Sequence, residues 1–249
     1  LIIFFAWFGS SMFWVERPAL IGMIPFLLSY ILLQKKEGLT SKDIVFLVLI
    51  NIGWVNLHGS WPLLIMMYVW RELVRAIILK KSNIWQQLVA TFSLFLSILI
   101  NPFGYKVFSY LLETAKVSRE RHIDEWAAPS LFGPYAAQSG AYFILLLAFL
   151  VYGIYIFKKS PNQFIKILVS PFLPLVLFAS SNIRNTALPF FVLIPFASEF
   201  ILIKGEKEEC NERKSAFNLI IIAFVFFCLF LFLRMIKPYN ESLLLESKT

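Results

Sequence analysis

The sequence predicts an all-α fold: a polytopic transmembrane helical bundle of about nine spans, with an outer-face loop that contains a surface helix. Three observations carry that expectation. Of 249 residues, 59% are hydrophobic and only 15% are charged, whereas a soluble domain has about 45–50% apolar and about 25% charged residues. The mean hydropathy is +0.74 and aromatic residues make up 17% of the chain, more apolar surface than a soluble fold hides. Finally, the basic residues alternate along the chain in the way membrane topology demands.

A helix needs about 20 mostly apolar residues to cross the hydrocarbon core. The stretches free of Asp, Glu, Lys and Arg are 1–15, 18–34, 44–70, 82–105, 126–157, 168–183, 185–198 and 215–233. Most read as one span each, and 126–157 reads as a polar loop followed by a span from about Ala141. The stretch 44–70 is interrupted by Asn56-Leu57-His58-Gly59-Ser60-Trp61-Pro62. If that interruption is a turn, the loops at 34–43, 71–83, 158–166 and 204–214 share one face and hold 14 of the 23 basic residues. If 44–70 were one helix, the later loops would swap sides and the split would be 11 against 12. The asymmetry favours the turn, and it makes the basic face cytoplasmic. The return helix from Trp61 then meets Arg71, Glu72 and Arg75 early, and these must snorkel or lie in the interface.

Residues 1–235 are thus expected to form the transmembrane domain, with 236–249 a polar tail. The segment 101–140 is the largest non-spanning piece and lies on the non-cytoplasmic side. Within it, Val107, Tyr110, Leu111 and Ala115 recur at helical spacing and predict a surface-lying helix over 105–117. Asn101-Pro102-Phe103-Gly104 stops the preceding helix, since Pro and Gly do not continue one. Leu1 already lies inside an apolar run, so further N-terminal segments are expected to precede it. Cys210 and Cys228 read as free thiols. The net charge of +8 follows from the positive-inside rule and does not call for a nucleic-acid partner; the partner is the lipid bilayer.

Every unusual polar cluster falls on the outer face: Glu16-Arg17-Pro18, Asn56-Leu57-His58-Gly59, Asn101-Pro102-Phe103-Gly104-Tyr105, Asp124-Glu125-Trp126 and Ser181-Asn182-Ile183-Arg184-Asn185. Arg17 and Arg184 are the only basic residues in the short outer loops, where the charge bias disfavours them. Each either snorkels to a lipid headgroup, pairs with Glu16 or Glu125, or is part of a clamp for a phosphate-bearing ligand, because a guanidinium fork matches phosphate oxygens. His58, with Asn56 beside it and Asn185 beside Arg184, reads as a base, as a hydrogen-bond partner of that phosphate, or as a structural residue of the turn. Asp124 and Glu125 read as an acid/base or cation-holding pair, or as a solvated loop paired with Arg119 and Arg121. Trp14, Trp61 and Trp126 fit an interfacial aromatic belt. No Walker loop, dinucleotide glycine turn, paired-cysteine metal site or nucleophile elbow is present. No metal or cofactor is expected, although a divalent cation has a place at the acidic pair.

Arg17-Pro18, Trp54-Val55-Asn56-Leu57-His58-Gly59, Asn101-Pro102-Phe103-Gly104, Glu125-Trp126 and Arg184-Asn185, in this order, resemble a family of bacterial polytopic proteins. That family looks like the GT-C superfamily of membrane glycosyltransferases. The resemblance runs from about Arg17 to Phe200. Ser60 stands where the family often has a second glycine, and Phe103 where it often has tyrosine. The resemblance implies transfer of a sugar from a polyprenyl-phosphate carrier at the outer face, with the catalytic acid in an outer loop upstream of Leu1. Two rival readings are a transporter or lipid flippase, and a non-catalytic envelope scaffold. The helix breaks near one face, without an internal repeat, count against a transporter.

Overall fold

The computed structural model describes residues 6, 19–35, 38–79, 84–120, 126–132 and 135–200. The spans expected over 1–15 and 215–233, both cysteines and the polar tail lie outside the described residues. Among the described residues the fold is all-helical, with no strand. The elements are α1 (Ala19–Leu33), α2 (Ser41–Leu57), α3 (Pro62–Val74, running on into a π turn at Arg75–Leu79), α4 (Ile84–Ile98) and α5 (Lys106–Glu120). They continue as α6 (Ala136–Lys159), α7 (Pro161–Val169), α8 (Phe172–Ala179), a tight 3-10 turn (Ile183–Ala187), α9 (Leu188–Phe191) and α10 (Leu193–Phe200).

The expected turn inside 44–70 forms. α2 ends at Leu57, and Pro62 opens α3 in its first turn, where a missing N–H costs nothing. The polar contacts give the helices their directions. At one end, the start of α2 is closed by a capping box between Thr40 and Asp43, and Lys35 Nζ bonds Asp43 Oδ1 at 2.6 Å. Arg71, late in α3, donates to the carbonyls of Leu33 and Lys35, each at 2.8 Å. Gln86, at the start of α4, donates to Leu39 O at 3.1 Å, and Trp70 Nε1 donates to Leu168 O at 2.8 Å. At the other end, Asn56 reaches Ile100 O at 2.9 Å, and Gly22 of α1 lies against the His58 ring. So α2 runs out from the first end, α3 returns to it, and α4 runs out again. Lys35, Lys42, Arg71 and Arg75 collect at that basic end. The polar loops collect at the other, about 25 Å away by the length of α2.

Among the described residues, one helix is by itself long and apolar enough to cross a membrane: α6, with 24 residues. α1 and α4 are apolar but 15 residues each, and α2 has 17. Beyond Leu168, where two spans were expected, the chain is cut into short helices. Pro161 opens α7, Pro171 caps α8 and Pro189 opens α9, each removing a donor that a continuous helix needs. These pieces pack by aromatic contact: Phe172 of α8 stacks on Phe196 of α10 at 4.1 Å, with Phe149 of α6 at 5.4 Å from Phe172. Tyr142 of α6 donates to Val176 O of α8 at 2.8 Å.

The surface-helix expectation is met as a helix, α5. Val107 is buried and Leu111 half-buried, while Tyr110 points outward at 65% exposed. Phe108 packs edge-to-face on Trp61 at 5.7 Å. Of the two alternatives expected for Arg71, the structure removes one. Arg71 does not snorkel; it is 0% exposed. The reason is local: the last turn of α1 leaves carbonyls without intrahelical partners, and the guanidinium supplies their donors while also pairing with Glu72.

Candidate functional site

The polar-loop end is built around the turn between α2 and α3. His58 terminates α2 with an extended backbone (φ −158°, ψ 142°), its N–H still donating to Trp54 O at 2.9 Å. Two residues on, the Ser60 N–H donates to His58 Nδ1 at 3.1 Å, and Ser60 Oγ lies 2.7 Å from the same nitrogen. The buried Trp54 indole donates to Ser60 Oγ at 3.1 Å. Under the ring, a Cβ at Gly22 would come within 3.1 Å of His58 Cγ, so this glycine leaves the room the imidazole occupies.

Arg184 comes from the far part of the chain. Asn182 caps the turn Ile183–Ala187, its Oδ1 accepting the Asn185 N–H at 3.0 Å. Thr186 Oγ1 closes the turn on Ile183 O at 2.7 Å. The Ile183 N–H donates to Ala127 O at 2.8 Å, which moors the segment after Trp126 beside Arg184. His58 sits at a helix end, half-buried. Burial first, and then the Arg184 guanidinium, hold its imidazole below the ordinary histidine range. The Arg184 charge is thus felt at the ring although the two residues stand 126 positions apart in sequence. Arg184 is half-buried, and no carboxylate among the described residues pairs with it.

The other expected site residues divide. Asn56 spends its amide on Ile52 O at 2.8 Å and Ile100 O, clipping the ends of α2 and α4 together. Asn185 spends its amide on Ser181 Oγ at 3.0 Å, inside its own turn. Asn101 does the same for the turn after α4. Its Oδ1 accepts the Phe103 N–H at 2.7 Å, its amide reaches Gly104 O at 3.1 Å, and Gly104 takes φ +53°. That positive φ is why a glycine stands there. Arg17, Asp124 and Glu125 lie outside the described residues. Among the described residues no three His, Cys, Asp or Glu side chains gather as metal ligands. A shallow apolar depression along Ser41, Val45, Phe46 and Leu49 lies toward the basic end, away from His58.

Two participants had no signal in the sequence. Gly22 matters only because α1 crosses under the turn, and Ala127 only through its carbonyl. Ser60 was half legible, since a serine two residues after a histidine is within reach of a local hydrogen bond.

Comparison with protein-family models, with curated proteins and with solved structures finds no match. What the fold offers here is a guanidinium without a described counter-charge, whose field reaches an imidazole held below its ordinary range. Such a pair offers N–H donors and one positive charge to an anion, and the guanidinium fork suits a phosphate.

Proposed function

We propose that the chain is a multi-pass protein of the bacterial inner membrane, with about nine spans and its basic end cytoplasmic. Its polar-loop end binds the phosphate of a polyprenyl-phosphate-linked sugar, as the membrane-embedded part of a GT-C-like glycosyltransferase. The observation that carries this reading is Arg184 beside neutral His58 with no described carboxylate to answer it.

The membrane part rests on the outward faces. α1 exposes Ile21, Ile24, Leu28 and Ile31, and α6 exposes Ile144, Leu147, Val151 and Ile154, each set at alternating three- and four-residue spacing. α4 exposes Leu88, Phe92 and Phe95 in the same way. Stripes of this extent exceed what a monomeric soluble protein shows to water, and acyl chains are their matching solvent. Helices of 15–17 residues reach about 22–26 Å. They fall short of the roughly 30 Å core, a mismatch met by local thinning of the bilayer.

In the transfer, an acceptor oxygen bonds the sugar's anomeric carbon. The bond from that carbon to the carrier phosphate breaks, and the phosphate leaves with the electron pair. Charge grows on the phosphate oxygens, where preorganised donors act most strongly. Arg184, His58 and, from the sequence, Arg17 supply that half of the chemistry, with Asn56 and Asn185 holding the turns that carry them. The proton of the acceptor oxygen goes to a carboxylate; Asp124 and Glu125, which precede the segment moored at Ala127 in the sequence, are this chain's acid/base or cation-holding candidates, and no motif carries the catalytic base over to them.

The test is binding of polyprenyl phosphate to the purified protein in lipid nanodiscs. Arg184→Lys keeps the charge and loses the fork, so it is expected to weaken binding by about tenfold or more. Parent-like binding by Arg184→Lys would make Arg184 a simple anchor and sink the clamp. Translocation of a lipid-linked sugar across vesicles without any transfer would replace the transferase by a flippase.

A further inference from the structure

His58 left two chemistries open, a base or a hydrogen-bond donor, and its contacts choose between them. The Ser60 backbone N–H can only donate, and it donates to Nδ1 at 3.1 Å. Nδ1 therefore presents a lone pair. Ser60 Oγ, 2.7 Å away, already accepts the Trp54 indole N–H, which leaves its own hydrogen free to turn to Nδ1 as well. With Nδ1 accepting, the neutral ring carries its proton on Nε2, and Nε2 has no hydrogen-bond partner among the described residues. Gly22 of α1, whose Cβ would come within 3.1 Å of Cγ and 3.2 Å of Nδ1, leaves that edge of the ring its room.

We propose that Ser60, backed by Trp54, is a positioning residue that locks His58 as the Nε2–H tautomer, so that His58 serves the anion site as a neutral hydrogen-bond donor beside Arg184 and not as a base. This rests on the phosphate-binding reading above for the identity of the ligand, but not for the state of the ring. A base needs a lone pair facing the substrate. Here the one lone pair faces Ser60, inside the turn, and the atom left for a ligand carries a proton. A neutral donor also avoids placing a second cation against Arg184, which would repel it. Ser60 is the position where the resembling family often has glycine. A glycine there would keep the backbone donor and lose the hydroxyl link to Trp54, so this chain holds its ring by one more bond.

The experiment has a spectroscopic and a binding arm. The chain has two histidines, so His122→Gln leaves His58 as the single ring for 15N-histidine NMR in nanodiscs. The expected pattern at pH 7 is a protonated Nε2 and a bare Nδ1, and titration of the ring below its usual range. In Ser60→Ala the titration should move up, because the neutral ring loses a donor; a merely structural serine would leave it unmoved. A ring protonated on Nδ1, or doubly protonated at pH 7, would overturn the proposal. In the binding arm the probe is polyprenyl phosphate. A glutamine amide occupies the place of Nε2 and an asparagine amide that of Nδ1. His58→Gln should therefore bind within about threefold of the parent, and His58→Asn about tenfold more weakly. Equal loss in both variants would also overturn it. If the parent itself fails to bind the probe, the phosphate reading fails while the ring's tautomer, read by NMR, still stands or falls alone.

Discussion

The fully buried Arg71 offers the sharpest stability prediction. Its guanidinium holds at least three acceptors: Leu33 O from Nε at 2.8 Å, Lys35 O from Nη2 at 2.8 Å, and the Glu72 carboxylate from Nη1. Glu72 is itself held by Gln87 Nε2 at 2.7 Å and is 14% exposed. Replacing Arg71 with Met keeps much of the volume and removes every donor. The carbonyls of Leu33 and Lys35 then lose this donor, and the Glu72 carboxylate keeps Gln87 but loses this cation. Each charge-assisted bond is worth about 1.5–3 kcal/mol, but the sum overstates the loss because water reaches part of the vacated site. Cutting one partner from a buried ion pair costs about 3–5 kcal/mol, and that is the expected destabilisation. Arg71→Lys should recover little of it, since one ammonium cannot span both carbonyls and the carboxylate. The assay is equilibrium unfolding in mixed detergent micelles, followed by tryptophan fluorescence. Arg71→Met and Glu72→Gln should couple by about 1–3 kcal/mol in a double-mutant cycle. A loss under about 1 kcal/mol in Arg71→Met, or full rescue by lysine, would show that the clasp does not hold α1 to α3 and would refute the reasoning.

Three further outcomes follow from single sites. Asp43 accepts from Lys35 and from the Thr40 backbone, which hold its carboxyl down to about 2. Its contribution is complete above the ordinary carboxylate range of about 4 and disappears as pH falls toward 2. Because Lys35 is half-exposed, Asp43→Asn should cost only about 1–2 kcal/mol, measured as the difference between the two stability-versus-pH curves. Asn51 is 0% exposed and donates to Leu94 O at 3.1 Å and Ser97 Oγ at 2.8 Å; Asn51→Ala should loosen α2 from α4 by about 0.6–1.7 kcal/mol, read in the same unfolding assay. A Cβ at Gly59 meets nothing within 4 Å, and at Gly38 only Arg75 Nη2 at 3.7 Å, so both accept cysteine in a background with Cys210 and Cys228 replaced by serine. An impermeant thiol reagent should reach Gly59→Cys from outside intact cells and leave Gly38→Cys unlabelled; labelling of both, or of position 38 alone, would remove the proposed topology.

Composition and periodicity established the all-helical class, the helix after Gly104 and the stop at Asn101, and the split of basic residues between the two faces chose the break between Leu57 and Pro62. These depend on neighbours within a few residues: a proline's missing donor, an asparagine that bonds its own turn, apolar residues three and four apart. The grouping of the described polar loops after Asn56 and after Ile98 at one end was also legible, because alternate loops of a helical bundle must fall on the same side. Helix lengths beyond Leu168 were not legible from charge-free stretches, since Pro171 and Pro189 divide an apolar run without changing its hydropathy. Nor was the fate of Arg71. A sequence shows a charge near an apolar span and offers snorkelling, but only the packing of α3 on α1 brings carbonyl ends within reach of that guanidinium. The candidate site divides in the same way. His58 and Arg184 stood out by residue type, as exceptions to the pattern around them. Their meeting, the glycine under the ring and the serine that assigns the proton depend on contacts between distant segments, and burial with a neighbouring charge decides an imidazole's protonation only once those segments are packed.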